Sequence, residues 1–164
     1  MIHPPEPLNT GHDLSSFTCG EPSLDQWLLR RAMTNQVAGA SKTYVIADDE
    51  VVAGYYCLAT GAVAQAIATG RIKRNMPDPV PVMILGRLAI ALSHQGRGLG
   101  MDLLRDAVLR TLQVADIAGC RALLVHALHE NAAKFYDAAG FQPSPVDPLI
   151  YMVRLADIRE ALGL

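Results

Sequence analysis

Apolar residues first fall at helical spacing at Leu24, Trp27, Leu28 and Ala32. Pro22 stands where a first helical turn accepts proline, Glu21 and Asp25 lie at the positive end of the dipole, and Arg30 and Arg31 at the other. The period then changes. Tyr44–Ala47 reads as a strand, Asp48-Asp49-Glu50 as a turn, and Val51 to about Leu58 as the hairpin partner. The basic, proline-interrupted stretch from Gly70 to Pro81 predicts an exposed loop, neither helix nor central strand. Val82–Ile90 is almost continuously apolar, as in a strand covered on both faces. A long amphipathic helix follows, with Leu99, Leu103, Leu104, Val108 and Leu112 on one side, ending near Gly119. Arg121 to about Leu128 reads as a buried strand, and Asn131–Ala139 as a short helix stopped by Gly140. Phe141 and Leu149–Val153 supply the last strands, and Ala156–Leu162 a closing helical turn or two. This order predicts a mixed α/β layered domain.

From Val51 to Gly70 no side chain is charged, over about the twenty residues that a spanning helix needs. The segment nevertheless contains Gly54, Gly61, Gln65 and Gly70 and opens on a β-rich run. A buried strand followed by an Ala-rich turn or helix is expected, and no membrane association.

The 164 residues suit one domain, 1–164. Hydrophobic residues make up 51 % and charged ones 18 %, against about 25 % charged in an average domain, which excludes a disordered acidic or basic tail. With a formal charge of −2, no global field draws the chain to DNA, so direct DNA binding by this chain alone is not expected. The basic residues are 11 Arg and only 3 Lys, which leaves a local site for phosphate or carboxylate open. Cys19, Cys57 and Cys120 are far apart and odd in number, and the N-terminus lacks a basic, then apolar, leader pattern. Both features point to a reduced, cytoplasmic protein. The five histidines show no metal spacing, so no metal is expected; His126, His129 and Cys120 receive no role.

Gln95-Gly96-Arg97-Gly98-Leu99-Gly100 lies between the apolar strand and the long helix. Residues without Cβ let the backbone approach an anion, and the following helix adds unpaired N–H groups and its positive dipole end. The ligand chemistry is therefore a diphosphate. A nucleotide P-loop would need Gly-Lys-Ser/Thr, and a dinucleotide fingerprint G-x-G-x-x-G on an early strand; neither is present.

The pattern Gln/Arg-x-x-Gly-x-Gly/Ala, filled here by Gln95, Gly98 and Gly100, resembles the acetyl-CoA loop of the GNAT N-acetyltransferase superfamily. Asn131-Ala-Ala-Lys134-Phe135-Tyr136-Asp-Ala-Ala-Gly140-Phe141 resembles that family's second signature, one helix and one strand further on. The resemblance spans about residues 40–155. It implies an α/β (α+β layered) GNAT fold, with a mixed sheet of six to seven strands splayed at the acetyl-CoA site and flanking helices. It also implies contacts to the cofactor from Leu88, Ala89, Ile90, Gln95, Gly96, Arg97, Gly98, Leu99, Gly100, Asn131, Lys134 and Phe135. A backbone N–H near Leu88–Ile90 would polarise the thioester carbonyl, and Tyr136 would be the general acid for the leaving thiolate. The strand before the loop carries Arg87 as its one charged residue, where many relatives place a glutamate base. A lysine amine, with a pKa near 10.4, stays protonated at neutral pH, whereas an α-amine near 7.7–8.0 is substantially free. Either a distant carboxylate acts through water or the amine arrives already neutral, and the missing acid points away from lysine or polyamine substrates and toward α-amines.

Phe17-Thr-Cys19-Gly20-Glu21-Pro-Ser-Leu-Asp-Gln-Trp27-Leu, Arg74-Asn-Met-Pro-Asp-Pro-Val-Pro and Leu85-Gly86-Arg87-Leu-Ala are similar to segments of the GNAT toxins of toxin–antitoxin modules. That resemblance implies acetylation of the α-amine of aminoacyl-tRNA and a block of translation. It also implies a ribbon-helix-helix antitoxin and a homodimer. Arg30, Arg31, Arg71, Lys73, Arg74 and Arg87 are candidates for a basic rim meeting the tRNA. Two other functions stay open at this point: a metabolic or protein N-terminal acetyltransferase, and a non-catalytic CoA-binding subunit.

Overall fold

The computed structural model describes residues 1–164. Seven strands form one mixed sheet in the order β1-β2-β3-β4-β5-β7-β6: β1 Glu6–Pro7, β2 Lys42–Asp48, β3 Val51–Val63, β4 Val80–Ile90, β5 Ala122–His126, β6 Gln142–Pro143 and β7 Ile150–Arg154. The helices are α1 Pro22–Arg30, α2 Ala32–Ala38, α3 Gly70–Lys73, α4 Leu99–Ala115, α5 Glu130–Ala138 and α6 Leu155–Leu162, with a 3₁₀ turn at Leu92–His94. No helix is long and apolar enough to cross a membrane. The uncharged stretch after Val51 is β3, nearly all buried from Val52 to Leu58.

The chain divides into two compact units, Met1–Ala59 with Gly86–Ala107, and Thr60–Leu85 with Val108–Leu164. In the first, β2 and β3 form the expected antiparallel hairpin, in register from Lys42↔Leu58 to Asp48↔Val51 with an irregularity between Ile46 and Ala47. Its core gathers Leu8, Phe17, Leu28, Ala32, Val45, Val52 and Tyr55, with Trp27 packed on it. The helix expected to run through Ala32 breaks at Arg31, whose φ of −119° leaves the helical range, and α2 starts anew. Tyr55 is fully buried and donates its hydroxyl to Leu24 O at 2.7 Å, which ties α1 to β3.

In the second unit β5 pairs parallel with β4 from Val82↔Ala122 to Leu85↔Val125 and antiparallel with β7. The parallel ladder thus stops short of the end of β4 at Ile90. The core holds Val63, Ala68, Ile72, Val80, Val82, Ala122, Leu124 and Met152.

The segment 70–81 departs from the expected plain loop. Gly70–Lys73 closes into a helical turn because Ile72 is buried. The Arg121 guanidinium also donates to the carbonyls of Ile72, Arg71 and Arg74 at 3.0, 3.1 and 3.4 Å, taking up acceptors that a short helix leaves open. β4 already begins at Val80 and includes Pro81, which is tolerated because the ladder to β5 starts one residue later.

Arg71 reaches the Asp157 carboxylate through Nε and Nη2, both at 2.9 Å, and Arg154 joins it at 2.6 Å. The two guanidinium groups, Arg154 first, hold the Asp157 carboxyl well below its ordinary 3.8. A carboxyl depressed on folding stabilises the fold above its unfolded value, and that stabilisation is lost as pH falls through the folded one. Asp157→Asn should therefore lower Tm by a steady margin above about pH 5, and the margin should shrink as pH drops from 4 toward 2. Thermal melts across that range check it.

Candidate active site

In the first unit the site is a strand, a turn and a helix in sequence. β4 ends at Leu88–Ile90, Ala91 N–H donates to Ala53 O at 2.8 Å, and after the 3₁₀ turn the chain enters Gln95–Gly98 and α4. Gly96 and Gly98 have φ of +80° and +79°, a conformation that L side chains rarely adopt, and nothing lies within 4 Å of where a Cβ would stand on either. Alternating backbone of this kind turns successive N–H groups inward as an anion cradle, and the open first turn of α4 adds its own. The space beside Gly96 and Gly98 is open, so their backbone is free for close approach, which fits a diphosphate such as that of coenzyme A. Leu99 and Gly100 open α4, and Arg97 is exposed, reaching Ser93 O at 3.4 Å.

Gln95 acts on the loop rather than toward solvent. Its Nε2 donates to Ile90 O at 2.9 Å and Cys19 O at 3.1 Å, tying the loop to the end of β4 and to the segment before α1. Two exposed hydrogen bonds of this kind contribute about 1 kcal/mol together, so Gln95→Ala should raise the KM for acetyl-CoA about fivefold with little change in kcat. Steady-state kinetics with acetyl-CoA varied check this.

In the second unit α5 carries the aromatic pair. His129 is its N-cap, accepting from Ala132 N–H through Nδ1 at 3.2 Å, a structural task that the sequence did not reveal. Asn131 and Lys134 are exposed, Phe135 half-buried, and Tyr136 buried. The Tyr136 ring packs edge-on to Phe135 at 5.1 Å and against Phe141 at 5.8 Å, just beyond the Gly140 stop. Its hydroxyl makes no hydrogen bond within the protein. Burial pushes the phenol well above its ordinary value of 10, so it keeps its proton throughout the neutral range.

The six basic candidates are dispersed. Arg30 and Arg31 are exposed at the junction of α1 and α2, while Lys73 and Arg74 are exposed at the end of α3. Arg71 is committed to Asp157, a pairing invisible in sequence because 86 residues separate the two. Arg87, on β4, is half-buried and lies over the Trp27 ring, 4.7 Å from its centroid. The cysteines are chemically quiet. Burial, aided by Asp25, pushes the Cys19 thiol up to about 11, and burial raises Cys57 and Cys120 as well.

Residues 39–143 match the family described as acetyltransferase (GNAT) domain. The chain is 51 % identical over 159 residues to a tRNA-acetylating toxin of Mycobacterium tuberculosis (strain ATCC 25618 / H37Rv), covering 97 % of this chain and 96 % of that one. A solved structure of AtaT complexed with acetyl-methionyl-tRNAfMet superposes with a TM-score of 0.90 at 27 % identity, covering all of both chains. A tyrosine-to-phenylalanine AtaT toxin bound to the C-terminus of the antitoxin AtaR and to acetyl-CoA superposes with a TM-score of 0.84 at 26 % identity, covering 100 % of this chain and 99 % of that one.

Proposed function

The chain belongs to the GNAT acetyltransferase family, and from that premise we propose that it transfers an acetyl group from acetyl-CoA to the α-amine of an amino acid carried on tRNA. It thereby blocks translation as the toxin of a toxin–antitoxin pair. The observation that carries this reading is the likeness to the mycobacterial tRNA-acetylating toxin, which runs through the N-terminal segment and α1 as well as the shared acetyltransferase core.

The backbone N–H groups of residues 96–100 and the first turn of α4 would hold the diphosphate, with Gln95 fixing the loop behind them. A backbone N–H near Leu88–Ile90 would polarise the acyl carbonyl, and Asn131, Lys134 and Phe135 are the further cofactor contacts that this reading assigns. When bound, acetyl-CoA would supply a thioester able to acylate an uncharged amine, which gives up one proton as the thiol leaves. Tyr136 would hold a proton on Oη for the departing sulfur, and the proton released by the acylated amine would restore the phenol. β4 carries no carboxylate, which favours an amine that is already partly uncharged at neutral pH, an α-amine near 7.7–8.0 over a lysine amine near 10.4. Arg30, Arg31, Lys73, Arg74 and Arg87 are the cations this reading offers to a polyanion, Arg71 being already paired with Asp157.

The same reading includes a single domain over 1–164, a cytoplasmic location, a homodimer and an antitoxin of the ribbon-helix-helix class. The AtaT complex with the C-terminus of AtaR supports an antitoxin partner. Labelled acetyl-CoA offered in parallel with charged tRNA, deacylated tRNA, polyamines and peptides tests the substrate. Label on charged tRNA alone is expected; label only on polyamines or peptides overturns the reading.

A further inference from the structure

Arg87 stands apart from the other arginines with a defined partner. Arg71 and Arg154 share Asp157, Arg159 pairs with Asp116 at 2.7 Å, and Arg121 donates to three carbonyls. Arg87 is half-buried and has no carboxylate partner. Its surroundings are the face of Trp27, the Cys57 thiol and the buried Tyr55, whose ring lies parallel to Trp27 at a centroid distance of 5.9 Å. Removing a charge from water without a counter-ion is costly, and an aromatic face repays only part of that cost. The stack also holds the planar fork in one orientation, with most of its five N–H donors unspent. A pre-oriented, uncompensated guanidinium is a receptor for an oxyanion.

The position on β4 selects which oxyanion. Arg87 precedes Ile90 by about 10 Å of extended chain, and the Gln95 carboxamide pins the glycine loop beyond Ile90. Given the substrate reading above, on which this inference rests, the loop takes the cofactor's diphosphate and the earlier part of the strand meets the acceptor. The esterified carboxyl of an aminoacyl-tRNA carries no charge, so the nearest anion to the amine is the phosphodiester of the terminal nucleotide.

We propose that Arg87, stacked on Trp27, is a specificity-determining residue that grips the phosphate of the acceptor's terminal nucleotide and so selects amines borne on RNA over free amines. Its guanidinium touches the substrate away from the reacting atoms; Trp27 is a positioning residue acting through it.

The test compares kcat/KM on charged tRNA with kcat/KM on the same amino acid esterified to adenosine, which lacks the phosphate. Arg87→Gln should lower the ratio of the two by on the order of 10- to 100-fold, chiefly through the KM for charged tRNA. Arg87→Lys, which keeps the charge without the fork, should recover part of it. Trp27 is the only tryptophan in the chain. Deacylated tRNA should therefore change its fluorescence saturably in the wild type, and only at higher concentration in Arg87→Gln. A ratio within twofold of wild type overturns the phosphate assignment while leaving the tRNA reading standing. A matched rise in the KM for acetyl-CoA overturns it in favour of a cofactor phosphate. A wild-type enzyme inactive on charged tRNA overturns the substrate reading and this inference together.

Discussion

Tyr136→Phe is expected to lower kcat by roughly 10²- to 10⁴-fold, the usual worth of a positioned general acid, with Tm and acetyl-CoA affinity close to wild type. The small structural cost follows from the hydroxyl's lack of a partner: phenylalanine keeps the contacts to Phe135 and Phe141 and loses no hydrogen bond. The large kinetic cost is expected from the role proposed for that hydroxyl, donation of its proton to the departing sulfur. Burial holds the phenol protonated well above pH 10, so the proton is in place throughout the working range. Accordingly, kcat should show no alkaline loss below pH 10 in the wild type. Activity at low substrate should rise with pH as the acceptor amine loses its proton, and then level off. Stopped thioester cleavage with calorimetry on acetyl-CoA separates the two effects. An unchanged kcat in the variant would leave Tyr136 as packing alone.

Gly98→Asp should weaken acetyl-CoA binding by about 30- to 150-fold. A non-glycine residue held at φ +79° costs about 1–2 kcal/mol, and a carboxylate beside a diphosphate adds about 1 kcal/mol of repulsion near the surface. The space around the missing Cβ is open, so the effect comes from backbone conformation and charge and not from a clash in the folded protein. Gly98→Ala isolates the first contribution and should weaken binding by about 5- to 30-fold, the remainder of the Asp effect being its charge. Calorimetric titration of both variants with acetyl-CoA measures the difference.

The elements that chemistry marks locally were legible before any coordinates. The β2–β3 hairpin follows from two β-rich runs around Asp48-Asp49-Glu50, and α4 from its leucine spacing behind the glycines. The end of α5 follows from Gly140, whose φ is +93°. Local marks failed where a distant partner decides. The turn α3 forms because Arg121 satisfies its carbonyls from 47 to 50 residues away, and the break at Arg31 lets Ala32 reach the core through a second helix. Arg71 illustrates the same limit among the basic candidates. Its loop composition marks it as a nucleic-acid contact, yet its fork is closed on Asp157, while the equally basic Arg74 beside it remains exposed.

By itself, the sequence determined the backbone chemistry of this protein. The alternation of glycines before an amphipathic helix permits the positive φ found at Gly96 and Gly98, the backbone that the proposed anion cradle needs, because each step is steric and spans a few residues. Only the tertiary structure decided which charges remain available to a ligand. Whether an arginine is neutralised by a carboxylate, spent on carbonyls or left poised over an indole depends on side chains brought together from far along the chain. A sequence records that a charge exists, but Coulomb's law acts on the distance to its partner.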